Sequence, residues 1–449
     1  MYRLAIEQLY TWKAKKNKKP LIIRGARQVG KTWLMKEFAN AAYESSVYVS
    51  FDNNQRMQDL FTVNFDVERI ITGLELYAGQ KINPQSTVLI FDEIQEVPKA
   101  LTALKYFNEN TPQYQIICAG SMLGVALRQG TSFPVGKVEF LDLYPLSFTE
   151  FMLAMGKEQF VDLLHKGDFN MVTTFKTSFF DLLKFYYYVG GMPEVVQNFA
   201  ENKDFNEVRE IQQRILDAYE QDFSKHAPNE VVPRIRMLWN SIPAQLTKEN
   251  KKFIYGLIRE GARAKEYELA LLWLNDCGLV HKVHRVTKPL LPLKAYEELK
   301  AFKLFLVDVG LLSCMLRLKQ DTLLDGNELF KEFKGSLTEQ YVLQQLKTLK
   351  DIGIYYWTND RGSAEIDFIV DNGRQVIPIE VKAEVNLQAK SLKSYRGKFN
   401  PAISIRTSMA DYKKEEWLLN LPLYAVELMN TAVAHFLCEH FEGKIDVDR

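Results

Sequence analysis

Two glycines, a lysine and a threonine follow an apolar stretch near the start of the chain, at the spacing that phosphate binding requires. Residues 21–32 read LIIRGARQVGKT, a Gly-x4-Gly-Lys-Thr pattern. In such a loop, backbone N–H groups at a helix start wrap the β-phosphate, the lysine reaches the β- and γ-phosphates, and the threonine hydroxyl holds Mg²⁺. The predicted nucleotide-contacting residues are Gly25, Ala26, Arg27, Gln28, Val29, Gly30, Lys31, Thr32 and Trp33, joined further along by Asp92 and Ser121.

Two acids end a later apolar stretch, TVLIFDE, at residues 87–93. Acids at the tip of a buried strand are costly unless they face a cation. We expect Asp92 to support the Mg²⁺ shell opposite Thr32, and Glu93 to orient and deprotonate the attacking water. The stretch QIICAGS ends at Ser121, whose hydroxyl is a candidate sensor of the γ-phosphate. These residues predict binding and Mg²⁺-dependent hydrolysis of ATP, with a solvated acidic turn as the alternative.

A second group of charged residues lies near the C-terminus. RGSAEIDFIV, the turn DNGR and QVIPIEVKAE read as a β-hairpin closed by Asn-Gly. The hairpin places Asp367 on one strand, and Glu380 and Lys382 on one face of the next, because a strand has period two. Acids beside a lysine suit metal-dependent phosphodiester hydrolysis, in which the acids hold Mg²⁺ and the lysine positions or activates water. Glu339, on the apolar side of a preceding helix, adds a third acid. The alternative is a set of solvated charges.

The elements that position these residues alternate between strands and helices. LIIRG, VYVSFD, TVLIFDE, QIICAGS and VEFLDLYPL each precede or follow a helical stretch. This alternation predicts a parallel sheet covered by helices on both faces. The fold class is therefore α/β and multidomain, with the phosphate-binding core at the N-terminal end.

The middle of the chain changes to compact helices followed by a hairpin. VVPRIRMLWNSIPAQL is predicted as a helix interrupted at Pro243, KKFIYGLIREGA as a short helix, and EYELALLWLNDCG as a helix ending at Gly278. LVHKVHRV and FKLFLVDVG are predicted strands, so three helices and a hairpin outline a winged-helix domain. DNA binding would use Lys248, Lys251, Lys252, Arg259, Arg263, Lys265, Arg285 and Lys288. The alternative is a packing module with an ordinary charged surface.

Bulk composition is that of a multidomain globular protein. The chain has 449 residues, 47% of them hydrophobic, and a formal net charge of +1. At about 150 residues per domain this length predicts about three domains, and near-neutrality limits any nucleic-acid surface to a local patch. The four cysteines are far apart, which favours a reducing compartment. No signal peptide or membrane-spanning run is evident, so we expect a cytoplasmic protein with no membrane partner.

Five segments together resemble one protein family. RGARQVGKT, LIFDEIQ, AGSML, LDLYPLSFTEFML and GGMPEVV are similar to AAA-type ATPases of bacteria and archaea that carry an appended domain of unassigned function, DUF4143. The resemblance implies four regions: a core at 1–145, a helical lid at 146–200, a winged-helix domain with linker helices at 201–320, and the appended domain at 325–449. Members often have Gly-Arg where this chain has Gly136-Lys137, so the identity of the arginine finger stays open, and Arg128 is a candidate substitute. The oligomeric state, with a homo-oligomer as one option, therefore stays open as well.

The C-terminal residues resemble the PD-(D/E)xK nuclease superfamily, which has a restriction-endonuclease-like α/β fold. The match gives Asp367, Glu380 and Lys382 the core roles and Glu339 the helical acid, with Glu365, Gln388 and Lys390 as further polar residues. The predicted catalytic residues are thus Glu93, Lys31, Asp367, Glu380 and Lys382, and the predicted metal ligands Thr32, Asp92, Glu339, Asp367 and Glu380.

The leading hypothesis is an ATPase coupled to DNA binding or metal-dependent DNA cleavage, with ATP, Mg²⁺ and DNA as partners. The alternative is a nucleotide switch whose C-terminal domain is a non-catalytic platform. A protein-remodelling ATPase is disfavoured, because the sequence shows no pore-loop aromatic motif.

Overall fold

A computed structural model of the chain describes residues 1–121, 123–126, 133–248, 252–321, 328–359, 364–384 and 389–445. Arg128, Lys251 and Gln388 lie outside these ranges. The described residues divide into two compact bodies, one of residues 2–145 and 272–279 and one of residues 146–271 and 280–449 together with Met1. The four regions predicted from the sequence stay predictions.

The first body holds strands β1 Leu21–Arg24, β2 Ser45–Ser50, β3 Thr87–Asp92, β4 Gln115–Gly120 and β5 Glu139–Asp142. Its helices are α1 Ile6–Ala14, α2 Lys31–Ala42, α3 Gln55–Thr62, α4 Val67–Ala78, α5 Pro98–Asn110 and α6 Leu123–Ala126, with a 3₁₀ turn at Ile94–Glu96. The strands pair in parallel in the order β2-β3-β4-β1-β5. The predicted parallel sheet is confirmed.

The burial of the strands explains why this sheet forms. β3 is buried along its whole length, and β4 is buried from its second residue onward, as expected for strands with helices on both faces. Ile22, Val49, Leu89 and Phe91 pack in one hydrophobic core with side chains from α3, α4 and α5. Because all five strands run in parallel, their carboxyl ends meet at one edge. The loop after β1, the acids after β3 and Ser121 after β4 therefore come together.

In the second body, the helices before the middle segment are α7 Phe148–Ala154, α8 Glu158–Lys166, α9 Phe169–Thr174, α10 Lys176–Val189, α11 Pro193–Asn202 and α12 Phe205–His226. The middle segment contains α13 Val232–Leu246, α14 Ala264–Asp276 (whose last residues are counted with the first body), β6 Val280–Val286 and β7 Glu297–Leu306. Short 3₁₀ turns occur at Tyr255–Leu257 and Leu293–Tyr296.

The rest of the second body contains α15 Val309–Met315, α16 Glu328–Leu346, β8 Gly353–Thr358, β9 Glu365–Asp371, β10 Val376–Val381, α17 Lys390–Phe399, β11 Ser404–Ser408, β12 Lys413–Lys414, β13 Leu418–Pro422, a 3₁₀ turn at Leu423–Leu428 and α18 Met429–Ile445. Eight strands form one mixed sheet in the order β12-β13-β11-β10-β9-β8-β6-β7. The predicted β9–β10 hairpin is confirmed: the strands are antiparallel, and Gly373 of the Asn-Gly turn has φ +76°.

The hairpin of the middle segment is part of this same sheet. β6 pairs with β7 in antiparallel fashion, and on its other side it pairs with β8 in parallel, His284 opposite Tyr355. Here one side of the hairpin is joined to the C-terminal strands, and a winged-helix arrangement is not confirmed.

Two helix predictions for the middle segment were wrong. α13 continues through Pro243, whose carbonyl accepts a hydrogen bond from Thr247 N at 3.2 Å. The described part of KKFIYGLIREGA, residues 252–262, forms no helix beyond the three-residue turn at Tyr255–Leu257. Its first residues instead lie extended beside β7, where Phe253 N donates to Phe302 O across 2.8 Å. Pairing with a sheet edge satisfied this backbone better than an isolated helical turn would.

The motif GGMPEVV is explained by a close backbone approach. Gly191 O accepts a hydrogen bond from Leu146 N at 2.6 Å, and a Cβ on Gly191 would lie 2.2 Å from Leu146 O. Gly191 N donates to the buried carboxylate of Asp308 at 2.6 Å, and Leu311 N donates to the same carboxylate at 3.0 Å. In PLSFTEF, Ser147 and Glu150 form a capping box that starts α7. Both motifs therefore build the interior of the second body.

Among the described residues, no helix is both long and apolar enough to cross a membrane.

Candidate functional site

The loop after β1 has the backbone that its glycines predict. Gly25 has φ +151°, and a Cβ there would lie 2.1 Å from Leu143 O, so no other residue fits without a shift of the backbone. Gly30 has φ +92° at the residue before α2. The side chain of Val29 is buried, which anchors the loop. The backbone N–H groups at the start of α2 are therefore presented as a phosphate cradle requires.

Lys31 is held inside this loop. Its side chain is only 6% exposed, and its ammonium donates to Gly25 O at 3.0 Å and to Ala26 O at 2.8 Å. Burial lowers the pKa of Lys31 to about 8, although the negative charges of Glu93 and Asp92 raise it. Near neutral pH a buried ammonium is thus bound to two carbonyl oxygens, which phosphate oxygens of higher charge would outcompete.

Thr32 and Asp92 meet as the sequence predicted. The Thr32 hydroxyl donates to Asp92 Oδ2 across 2.7 Å, and the Tyr48 hydroxyl donates to the same oxygen across 2.9 Å. A hydroxyl and a carboxylate side by side are hard oxygen ligands of the kind that Mg²⁺ takes while keeping several waters. These residues fit a magnesium ion bound together with a nucleotide.

Glu93, the predicted base, is restrained by two neighbours. It sits at the turn after β3 with φ +50°. Ser121 Oγ donates to Glu93 Oε2 at 3.1 Å, and Gln95 Nε2 donates to the same oxygen at 2.6 Å. A Cβ on Gly120 would lie 2.2 Å from Gln95 Oε1, so the glycine before Ser121 makes room for this contact. Ser121, expected from the sequence to sense a phosphate, here contacts the carboxylate of Glu93.

The remaining predicted nucleotide contacts lie on the surface of the loop or beneath it. Ala26 is buried, Arg27 and Gln28 are exposed, and Trp33 on the first turn of α2 is 41% exposed. An exposed ring beside the phosphate cradle is available to a nucleotide base.

Three residues of this site were missed in the sequence. Tyr48 and Gln95 carry no motif, although Gln95 lies in the LIFDEIQ segment. Gly278 lies far along the chain, yet a Cβ on it would stand 3.1 Å from Ala26 N in the first body. Its φ of +71° allows this approach. A glycine directly after a helix was interpreted as a helix stop, and only the fold reveals its second role.

The C-terminal acids converge on a lysine that the sequence did not single out. Lys303 on β7 has a completely buried side chain, and its Nζ lies 2.5 Å from Glu365 Oε1 and 3.6 Å from Glu339 Oε2. Asp367 Oδ1 is 4.0 Å away, and Asp367 Oδ2 accepts a hydrogen bond from Val381 N at 2.8 Å. We call Glu339, Glu365 and Asp367 the acidic cluster.

The charged groups of the acidic cluster and Lys303 shift one another's pKa values. Burial lowers the pKa of Lys303, but the three carboxylates of the cluster outweigh this and raise it above its ordinary value. Burial and the charge of Glu339 raise the pKa of Asp367 to about 7, although Lys303 and the N–H of Val381 lower it. Lys303 is therefore a charged ammonium in contact with acids.

Glu380 and Lys382 form a pair beside this cluster. Lys382 Nζ lies 2.8 Å from Glu380 Oε1. The ladder of β9 and β10 pairs Ile379 with Phe368, so the next position brings Glu380 opposite Asp367 on one face. Contacts with Lys303 thus bring Glu339, Glu365 and Asp367 together, while Glu380 contacts Lys382 on the neighbouring strand. Among the described residues, however, no group of three or more histidine, cysteine or acidic side chains is arranged to hold a metal ion. Metal ligation by Glu339, Asp367 and Glu380 stays a prediction.

Three family models match successive parts of the chain. The AAA domain matches residues 17–152, a domain of unknown function (DUF8612) residues 180–322, and a domain of unknown function (DUF4143) residues 334–425. The N-terminal part of the chain thus matches the model of the AAA domain, and a part near its C-terminus matches that of DUF4143, as the sequence resemblance predicted. A search of curated proteins found no match.

Several solved structures are similar to the chain at low identity. The Walker-type ATPase PABY2304 of Pyrococcus abyssi is 16% identical, with a TM-score of 0.42 over 70% of this chain and 94% of that one. The Orc1 protein of Aeropyrum pernix in complex with DNA is 13% identical, with a TM-score of 0.27 over 72% and 91%. Drosophila ORC bound to DNA is 11% identical, with a TM-score of 0.29 over 70% and 86%. Similarities this weak carry no conclusion about this chain.

Proposed function

We propose that the first body hydrolyses ATP with Mg²⁺ as cofactor. The observation that carries this proposal is the meeting of Thr32 and Asp92 across 2.7 Å at the edge where the phosphate loop begins. In this arrangement Lys31 and the N–H groups at the start of α2 bind the β- and γ-phosphates. Mg²⁺, held by Thr32 and Asp92, would neutralise charge on the phosphate oxygens.

Glu93 is the base in this mechanism. Water attacks the γ-phosphorus, the bond to the β–γ bridging oxygen breaks, and the products are ADP and inorganic phosphate. Glu93 accepts the proton that the water loses, and Ser121 and Gln95 orient its carboxylate. Two donors fix the direction of the Glu93 carboxylate, and a fixed direction is what positioned proton transfer requires.

The test compares two substitutions in the full-length protein. Lys31→Ala should abolish ATP binding, because no other ammonium reaches the loop carbonyls among the described contacts. Glu93→Gln should leave ATP affinity intact and lower the rate of phosphate release by about 10²–10⁴-fold. Glu37→Gln, an exposed acid on α2, is the matched control. Unchanged ATP affinity in Lys31→Ala would remove the loop assignment, and continued turnover in Glu93→Gln would remove Glu93 as the base.

We further propose that ATP hydrolysis is coupled to DNA binding by the second body. The support is a set of exposed cations in the middle segment: Lys248, Arg263, Lys265 and Lys288. Lys252 is exposed as well but already has an interaction within the chain. Arg259 and Arg285 are engaged with Glu266 and Glu298 and are weaker candidates. Exposed cations of this kind provide sequence-independent contacts to phosphates.

The second body has two candidate roles on DNA, metal-dependent cleavage and non-catalytic binding. Cleavage needs a divalent cation at Asp367 and Glu380. The contact between Lys303 and the acidic cluster favours the non-catalytic platform.

A further inference from the structure

Lys303 occupies an unusual position for a lysine. It lies in the apolar stretch AFKLFLV of β7, where Phe302, Leu304 and Phe305 are buried beside it. Its own side chain is 0% exposed. A buried ammonium is costly unless carboxylates and other partners surround it. The acidic cluster supplies those partners.

The acidic cluster draws its members from two separate elements. Glu339 comes from α16, and Glu365 and Asp367 come from alternate positions of β9. The Tyr356 ring, on β8, lies 5.1 Å from the ammonium. The ammonium of Lys303, on the edge strand β7, therefore links this strand to α16 and β9. A lysine suits this role, because its ammonium is compact and carries three donors.

We infer that Lys303 is the built-in cation of the acidic cluster, and that while it is in place these acids bind no divalent metal. The residues predicted to ligate Mg²⁺ do not fit that ion here, because an ammonium lies 3.6 Å from Glu339 Oε2 and 4.0 Å from Asp367 Oδ1. A divalent ion on Glu339 or Asp367 would lie within a few ångströms of the ammonium and be repelled by it.

The other oxygens of the predicted metal site are engaged in part, because Glu380 Oε2 is buried without a hydrogen-bond partner among the described residues. Asp367 directs one oxygen toward Lys303 and the other to Val381 N. Glu380 has Lys382 at 2.8 Å. Each acid that the nuclease pattern assigns to the metal thus has a cationic or N–H neighbour from the chain itself. Removing Lys303 would take away the charge that lies between three partly buried acids, and these would then be free to close around a divalent cation.

The test measures Mn²⁺ binding to the nucleotide-free full-length protein, with free Mn²⁺ followed by electron paramagnetic resonance. Wild type and Asp367→Asn should bind Mn²⁺ equally weakly. Lys303→Gln should gain one Mn²⁺ site at least about tenfold tighter than any site of wild type, and the double variant Lys303→Gln/Asp367→Asn should lose it. Lys300→Gln, an exposed lysine on the same strand, is the matched control and should behave as wild type.

Each outcome bears on the inference. A Mn²⁺ site in wild type that disappears in Asp367→Asn would overturn it, since the acids would then bind metal beside Lys303. A folded Lys303→Gln that gains no site would also overturn it. If Lys303→Gln fails to fold, the comparison of wild type with Asp367→Asn still decides, because it needs no change at the lysine.

Discussion

Ser121 Oγ donates to Glu93 Oε2 across 3.1 Å, which links the end of one strand to the proposed base on the next. The backbone N–H of Ser121 points to the same oxygen at 3.3 Å. The two contacts indicate that Ser121 positions the carboxylate of Glu93.

Ser121→Ala separates this positioning role from phosphate sensing. Loss of the hydroxyl should lower kcat by about tenfold and leave ATP affinity unchanged, because the contact is to Glu93 and a bond to a charged group contributes about 1.5–3 kcal/mol. Phosphate release and ATP titration measure the two quantities. Weaker ATP binding at unchanged kcat would instead support the sensor role expected from the sequence.

ATP affinity should depend on pH through Lys31. Burial lowers the pKa of Lys31 to about 8 in the nucleotide-free protein. Below that pH the ammonium is charged and binds phosphate; above it, binding must take up a proton, so affinity should fall by about tenfold per pH unit. Calorimetry in two buffers of different ionisation enthalpy measures both affinity and proton uptake.

Glu93→Gln provides an internal check of that pH dependence. The charge of Glu93 raises the pKa of Lys31. Removing this charge should therefore lower the pH at which ATP affinity begins to fall, while ATP affinity at neutral pH changes little. ATP affinity that stays constant across the alkaline range in both proteins would contradict the assignment of Lys31.

Gly191→Ala should destabilise the second body. The alanine Cβ would lie 2.2 Å from Leu146 O, a backbone atom that cannot move alone. The free energy of unfolding should therefore fall by about 3 kcal/mol. Gly397→Ala is the control, because Gly397 lies in α17 with open space around it. This substitution should raise the free energy of unfolding by about 1 kcal/mol. Urea unfolding of both variants measures the difference. Equal stability of the two would show that the Gly191 contact relaxes.

DNA cleavage is expected to be absent. Wild type and Asp367→Ala should both leave plasmid and single-stranded DNA intact with Mg²⁺ or Mn²⁺, with or without ATP, because Lys303 holds the acidic cluster. Gel electrophoresis of the products is the measurement. Cutting by wild type that is lost in Asp367→Ala would make the protein an ATP-coupled nuclease.

The phosphate site was predictable from the sequence because its chemistry is local. Lys31 and Thr32 are adjacent, and parallel strands bring their carboxyl ends to one edge, so Asp92 could be placed as well. The hairpin that carries Asp367 was equally readable, since an Asn-Gly turn sets its register.

Long-range neighbours could not be read in this way. Lys303 lies 62 positions before Glu365 in the chain. The residues around Lys303 do not indicate which acids contact it. A lysine inside an apolar strand is the one signal available, and it indicates a buried partner without identifying it. The helix expected at residues 251–262 failed for a related reason, because pairing with β7 is a tertiary effect.

The pairing of β6 with β8 has a practical consequence for dissection of the chain. The matched DUF4143 region, residues 334–425, contains β8 through β13 but neither β6 nor β7. A fragment cut at those limits would leave β8 as an open strand edge, prone to pair with another chain. It would also strip the acidic cluster of Lys303. Metal binding or aggregation seen in such a fragment would therefore report an artefact of the cut, while a fragment starting before β6 would keep the sheet whole.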